Sequence, residues 1–110
     1  MGTVQHELGA SALTRECLDG YRVLVAGNGA EALELSRRDQ GPIDLLVSDI
    51  QMPGMNGIDL AEHLCKERPY TKVLIISGSP DLEVPAEFRL LRKPFTPAAL
   101  RQTLADLLAA

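Results

Sequence analysis

Apolar residues along the chain alternate between short continuous runs and stripes at helical spacing. Such alternation predicts parallel βαβ units, and so an α/β fold. The continuous runs predict strands at 22–26, 43–48, 72–77 and 89–92. The helical spacing predicts helices at 4–19, at 29–38, from 57 toward Pro69, and from 97 onward. Residues 78–87 have weak periodicity and predict at most one helical turn.

Polar residues mark the starts of three of these helices. Asn28, Asn56 and Thr96 each stand where a side-chain oxygen can accept a hydrogen bond from a free amide of the first turn. Pro97 suits the first helical position, where its missing N–H costs nothing. The helix boundaries therefore rest on local chemistry as well as on periodicity.

Three chemically distinct side chains follow three of the predicted strands. Asp49 closes the run 43–48, Ser77 closes the run 72–77, and Lys93 follows the run 89–92 and precedes Pro94. Parallel strands bring their carboxyl ends to the same edge of a sheet, which is where open α/β sheets bind ligands. We therefore expect a carboxylate, a hydroxyl and an ammonium to converge.

This set of groups suits phosphoryl transfer. An aspartate can act as a nucleophile and form an aspartyl phosphate. The transferred group carries spread negative charge, for which Lys93 would supply a cation and Ser77 a donor. Pro53 and the two glycines Gly54 and Gly57 would shape a tight loop beside Asp49. The reaction also calls for Mg²⁺, a hard cation held by carboxylate, phosphate and water oxygens.

Composition narrows the class of protein. The 110 residues are 45% hydrophobic, which predicts one globular domain over residues 1–110. A net charge of −4 without a basic cluster argues against direct nucleic-acid binding. No apolar stretch approaches the length of a membrane span, and the first twenty residues lack a signal-peptide layout. We expect a cytoplasmic protein that contacts other proteins or small ligands.

Four motifs in register between residues 20 and 109 resemble one family, the response regulator receiver domains of two-component signalling. The segment 49–60 is similar to the phosphoacceptor loop, and 21–33 to the second strand and second helix. Ser77-Gly78 matches the hydroxyl position, and Lys93-Pro94-Phe95 matches the lysine loop. The resemblance implies a flavodoxin-like, doubly wound parallel sheet with helices on both faces and strand order 2-1-3-4-5.

The same resemblance implies roles for individual residues. Asp49 would be the phosphoacceptor, receiving the group from a histidine kinase or phosphotransfer protein, and Lys93 and Ser77 would contact it. Mg²⁺ would be held by Asp49 and the backbone carbonyl of Gln51. The Lys93–Pro94 peptide bond is predicted to be cis, as it is in receivers.

Two departures from the family pattern change the expectations. The family begins with a strand ending in two Mg²⁺-binding acids, but here a helix is predicted from about Val4, with no such strand before it. We expect an N-terminally truncated sheet of four strands and weak Mg²⁺ binding. Leu90 stands where the family usually has an aromatic residue that changes rotamer on phosphorylation.

The missing strand would leave a gap between the strands at 22–26 and 43–48. Either these two strands pair directly, with the helix 29–38 as the crossover, or a second chain fills the opening. Buried unpaired backbone groups cost about 1–3 kcal/mol each, so the gap must be closed. Direct pairing would require repacking a core shaped for five strands, which favours self-association as a homo-oligomer.

Two other functions compete with the phosphoacceptor hypothesis. The first is a pseudo-receiver that keeps the scaffold for protein contacts and never takes phosphate. The second is a phosphatase of the haloacid dehalogenase type, which needs an acid two residues after its nucleophile. Gln51 occupies that place, so a turnover enzyme is not expected.

Overall fold

The computed structural model describes residues 11–14, 20–52 and 54–109 of the chain. Five strands form one sheet in the order β1-β2-β3-β4-β5, in which β2 to β5 are parallel and β1 is antiparallel to β2. The strands are β1 (Ala12–Thr14), β2 (Val23–Ala26), β3 (Leu45–Asp49), β4 (Lys72–Ser77) and β5 (Arg89–Arg92). The helices in this part of the chain are α1 (Gly29–Arg38), α2 (Gly57–Glu67) and α3 (Pro97–Ala109).

The predicted caps begin all three helices. Asn28 accepts a hydrogen bond from the amide of Glu31 at 3.2 Å, and Asn56 accepts one from Asp59 at 2.8 Å. The Thr96 hydroxyl accepts one from the amide of Ala99 at 3.0 Å. Each contact satisfies an amide that has no partner within its helix. The predicted bounds of α1, β4 and β5 are confirmed residue for residue, and residues 78–87 contain no helix.

Alternate residues of each strand pack on opposite faces of the sheet. One face packs against α1 and α2 and buries Leu24, Leu46, Val73 and Ile75. The other packs against α3 and buries Val23, Leu45, Val47 and Leu74. Leu104 is buried in the second cluster, and Leu100, Leu107 and Leu108 pack against it. The leucine stripe of α3 is therefore a core stripe, and the prediction of helices on both faces is confirmed.

The predicted helix at 4–19 is wrong where the structure can test it. Ala12–Thr14 form β1, whose residues pair antiparallel with β2 in the register Leu13↔Leu24. Pairing supplies the free edge of β2 with backbone partners, and this long-range gain overrides a local helical pattern. The rest of the predicted helix, at 4–10 and 15–19, lies outside the described residues.

The expected gap in the sheet is closed within the chain. β2 pairs directly with β3 in parallel register from Val23↔Leu45 to Ala26↔Ser48, and α1 forms the crossover between them. The backbone groups expected to lack partners are therefore paired. Of the two ways to close the gap, the structure has the direct one, against our preference. Four parallel strands are present as expected, and β1 adds a fifth.

Candidate functional site

The three predicted site residues meet at the carboxyl edge of the sheet. Asp49 is the last residue of β3, Ser77 is the last residue of β4, and Lys93 directly follows β5. The strand registers Asp49↔Ile76 and Ser77↔Arg92 bring these ends to nearly the same level. Lys93 Nζ donates a hydrogen bond to Asp49 Oδ2 at 2.8 Å. The convergence expected from the strand ends is therefore present.

A cavity of about 420 Å³ opens at this edge. Its walls come from the ends of β3 and β4 and from the lysine loop: Asp49, Ile50, Gln51, Ser77, Gly78, Ser79 and Lys93. The Lys93 side chain is 47% exposed and that of Asp49 is 29% exposed. A ligand can therefore reach the carboxylate from solvent while it contacts groups at the base of the cavity.

Ser77 is fully buried beneath the cavity, and its hydroxyl is oriented by the chain around it. The amide of Ser79 donates to Ser77 Oγ at 2.9 Å. The amide of Lys93 donates to the Ser77 carbonyl at 2.8 Å, tying the end of β5 to the end of β4. A hydroxyl can accept and donate at the same time, so Ser77 keeps its proton for a group bound in the cavity.

The two oxygens of the Asp49 carboxylate differ in their contacts. Oδ2 accepts the short hydrogen bond from Lys93, whereas Oδ1 is 3.5 Å from the amide of Gln51, at the outer limit of a hydrogen bond. An ionised carboxylate offers about four acceptor positions. Asp49 therefore has lone pairs that can attack an electrophile or bind a ligand.

Glycine is needed in the loop between Asp49 and α2. A Cβ at Gly57 would overlap the Asp49 carbonyl oxygen and approach Ser48 Oγ to 2.9 Å. Gly54 has a φ of +77°, a left-handed conformation that side chains disfavour. The amide of Gly57 donates to the Ile50 carbonyl at 2.9 Å, closing the loop. Both glycines predicted to shape this loop therefore do so; Pro53 lies outside the described residues.

The lysine loop also has the expected backbone. The Lys93–Pro94 peptide bond is cis, which confirms the prediction. Leu90, at the position where an aromatic residue is usual, is half-buried in β5 and packs against the core under α1 and α2.

The described part of the chain does not by itself fit a divalent-cation site. Among the described residues that line the cavity, Asp49 is the one carboxylate, and its Oδ2 already binds an ammonium. The described residues contain no group of three or more acids, histidines or cysteines placed to hold a metal. Mg²⁺ usually needs one or two carboxylates together with phosphate and water oxygens. Gln51 lines the cavity, and its backbone carbonyl stays a predicted ligand.

Sequence reasoning missed one residue that lines the cavity. Ser79 lines the cavity and binds the hydroxyl of Ser77; the Ser-Gly-Ser spacing, typical of a turn closed by a serine side chain, could have identified it. His63 is exposed on α2 and is not among the residues that line the cavity. Burial raises the pKa of the half-buried Cys65 thiol, consistent with a packing role.

Of the helices in the described ranges, none has the length and apolar character that crossing a bilayer requires.

Sequence comparison identifies the family of the chain. Residues 4–105 match the response regulator receiver domain. The response regulator receiver protein CpdR of Brucella abortus is 39% identical over 82 residues, which cover 69% of this chain and 67% of that protein. The chain therefore belongs to the receiver domain family, whose members are signalling domains of two-component systems and typically bind Mg²⁺.

A second relative is a much longer protein than this chain. The sensor kinase CckA of Brucella abortus is 37% identical over 95 residues. The aligned segment covers 81% of this chain but 10% of CckA, so the chain spans about a tenth of that relative.

Solved structures support the same assignment. A response regulator receiver protein from Sinorhizobium medicae superposes with a TM-score of 0.67 and 30% identity, covering 77% of this chain and 72% of that one. A receiver domain protein from Clostridium thermocellum superposes with a TM-score of 0.65 and 26% identity, covering 76% of this chain and 71% of that one. The flavodoxin-like receiver fold is confirmed.

Proposed function

We propose that Asp49 accepts a phosphoryl group from a histidine kinase or phosphotransfer protein, and that residues 1–110 act as one receiver-like domain that signals through protein contacts. The observation that carries this proposal is the 2.8 Å contact between Lys93 Nζ and Asp49 Oδ2, at a cavity that Ser77 also lines. It pairs the candidate nucleophile with a cation where a phosphoryl group would bind.

On the acceptor side, the chemical step uses side chains that line the cavity. Oδ1 of Asp49 attacks phosphorus, an O–P bond forms, and the P–N bond to the donor imidazole breaks. The imidazole keeps the bonding electron pair and takes a proton from solvent. Lys93 offsets charge on the phosphoryl oxygens, and the Ser77 hydroxyl donates to one of them, as phosphoryl transfer requires.

The alternative is a pseudo-receiver that binds protein partners without phosphorylation. The specific observation in its favour is the single carboxylate among the described residues that line the cavity. One carboxylate holds Mg²⁺ poorly before phosphate arrives, so we expect binding weaker than receivers usually have. Tight Mg²⁺ binding in a calorimetric titration would contradict this expectation.

Incubation with acetyl phosphate, with and without Mg²⁺, separates the two functions. We expect intact mass to increase by one phosphate in the wild type and not in Asp49→Asn. Asp59→Asn, on the exposed first turn of α2, is the matched control and should behave as wild type. Phosphate that survives in Asp49→Asn would exclude Asp49 as the acceptor, and a wild type that takes none would support the pseudo-receiver.

The proposal also includes a cytoplasmic location and no direct contact with nucleic acid. A homo-oligomer stays a prediction, although direct pairing of β2 with β3 removes the unpaired strand edges on which it was based. Light scattering after gel filtration tests it: a single folded species with the mass of one chain would contradict self-association.

A further inference from the structure

The connection between β4 and β5 has two unlike halves. It spans residues 78–88, and its second half packs three side chains into the core beneath α1 and α2: Leu82, Val84 and Phe88. Residues 78–81, in its first half, are exposed. The first half includes Gly78 and Ser79, which form one wall of the Asp49 cavity. Residues 78–81 belong to neither core cluster of the described residues, so this wall depends on polar contacts for its position.

Arg92 supplies those contacts from the last position of β5. Its Nη1 donates to the carbonyls of Ser79 at 2.9 Å and Pro80 at 2.7 Å, and Nη2 reaches the carbonyl of Leu82 at 3.5 Å. A guanidinium holds its donors in a fixed plane and binds such a set of acceptors with defined geometry. One side chain thus fixes the start of the connection to the neighbouring strand.

Arg92 is linked to the hydroxyl of Ser77 through one residue, Ser79. Ser79 is held at both of its backbone groups: its carbonyl accepts from Arg92, and its amide donates to Ser77 Oγ at 2.9 Å. Because one lone pair of Ser77 Oγ accepts from the Ser79 amide, the hydroxyl proton points away from that amide. Holding Ser79 in place therefore limits the rotation of the Ser77 hydroxyl.

We propose that Arg92 is a positioning residue of the Asp49 site, which orients the Ser77 hydroxyl through Ser79. The inference rests on the proposed function, since the oriented hydroxyl is the donor to the phosphoryl group. Removal of the guanidinium would free the Ser79 carbonyl, loosen the amide contact to Ser77, and leave a bound phosphoryl group with a poorly aligned donor.

The test compares Arg92→Ala and Arg92→Lys with Arg89→Ala, an exposed arginine at the other end of β5. Hydrogen exchange at the Ser79 amide, followed by NMR, reads the contact without any phosphate. We expect Arg92→Ala to speed that exchange about fivefold, the equilibrium effect of losing one typical hydrogen bond. Arg92→Lys should restore part of the protection, and Arg89→Ala should leave it unchanged.

The phosphorylation rate with acetyl phosphate then tests the consequence for chemistry. We expect Arg92→Ala to slow it about tenfold, because small displacements of a positioned group have large effects on rate. In a Ser77→Ala background the same substitution should have no further effect, since the residue through which Arg92 acts is gone. Equal slowing in both backgrounds would overturn the proposal.

The outcomes separate this inference from the proposed function. A wild type that takes no phosphate refutes the proposed function, and the exchange experiment still decides whether Arg92 holds the turn. An unchanged exchange rate of the Ser79 amide in Arg92→Ala overturns the positioning role, even if the wild type takes phosphate as the proposed function expects. Melting temperatures are compared for all variants, and Arg92→Gln replaces Arg92→Ala if the alanine variant does not fold.

Discussion

Opposite edges of the sheet carry two ion pairs made from the same kinds of group. At the carboxyl edge, Lys93 binds Asp49 through one short contact. At the amino edge, Arg22 precedes β2 and binds both oxygens of Asp39, at 2.9 Å to Oδ1 and 2.6 Å to Oδ2. The two pairs differ in the number of hydrogen bonds that each carboxylate accepts from the chain.

Further donors and acceptors surround the pair at the amino edge. Asp39 Oδ1 also accepts from the amide of Gly41 at 2.8 Å, and Arg22 Nη1 donates to the Pro42 carbonyl at 2.9 Å. The Arg22 hydrogen bond and then the Gly41 amide lower the pKa of Asp39 from 3.8 to about 2. Arg68 adds contacts to the carbonyls of this turn, including that of Asp39 at 2.6 Å. A carboxylate bonded in this way joins structural elements and has little capacity for a ligand.

The hydrogen bonding of the two carboxylates indicates which one can react. Asp39 accepts three short hydrogen bonds from the chain, whereas Asp49 has one short partner, one distant amide and an adjoining cavity. A nucleophile needs accessible lone pairs, and a structural tie needs them occupied. Substitutions at the carboxyl edge should therefore change chemistry, and those at the amino edge should change stability.

The largest expected effect is on the rate of phosphorylation at Asp49. Lys93→Gln removes the cation beside Asp49, and we expect phosphorylation by acetyl phosphate to slow about 100-fold, as when one preorganised charge-stabilising donor is lost. The melting temperature should change little, because Lys93 is 47% exposed and an ion pair whose cation is open to solvent contributes little stability. Lys66→Gln, an exposed lysine on α2, is the matched control. A large loss of stability with an unchanged rate would break the contrast.

The two edges also differ in how well the sequence predicts them. Asp49, Ser77 and Lys93 each follow an apolar run, so strand assignment alone brings them to one edge. The Arg22–Asp39 pair gives no such signal, because it joins the residue before a strand to the residue after a helix, 17 positions apart. Ser79 and Arg92 were missed for the same reason: their contacts depend on the path of an irregular loop.

The N-terminal part of the fold was predicted least well. Helices α1, α2 and α3 carry their caps within the local sequence, and their starts followed from it. Strand β1 has three residues, and its identity depends on pairing with β2, which no local pattern specifies. The strand that pairs with β3 likewise depends on which strand has a free edge beside it. That depends on the whole sheet and not on the local sequence.

A second prediction concerns the amino edge. Arg22→Gln leaves Asp39 without its bidentate partner, and we expect the melting temperature to fall by several degrees because both side chains are largely covered, at 14% and 27% exposure. Phosphorylation at Asp49 should proceed at the wild-type rate in the folded protein. Arg37→Gln, which breaks the more exposed pair with Glu67, should barely change the melting temperature. Equal destabilisation by both variants would show that the lower exposure of the Arg22–Asp39 pair adds nothing, since Arg37 also contacts both oxygens of Glu67.

The smallest expected effect is a pH dependence of stability, and it isolates the Asp39 carboxylate. The folded state lowers the pKa of Asp39 from 3.8 to about 2, so it favours the ionised form. Stability from this group is therefore complete above pH 3.8 and is lost as the pH falls through about 2. Melting temperatures of the wild type and Asp39→Asn, measured from pH 5 to pH 2, should differ most at the upper end and converge at the lower end. A difference that stays constant over this range would mean that packing of the side chain, and not its charge, ties the amino edge together, and the contrast with Asp49 would then no longer rest on carboxylate bonding.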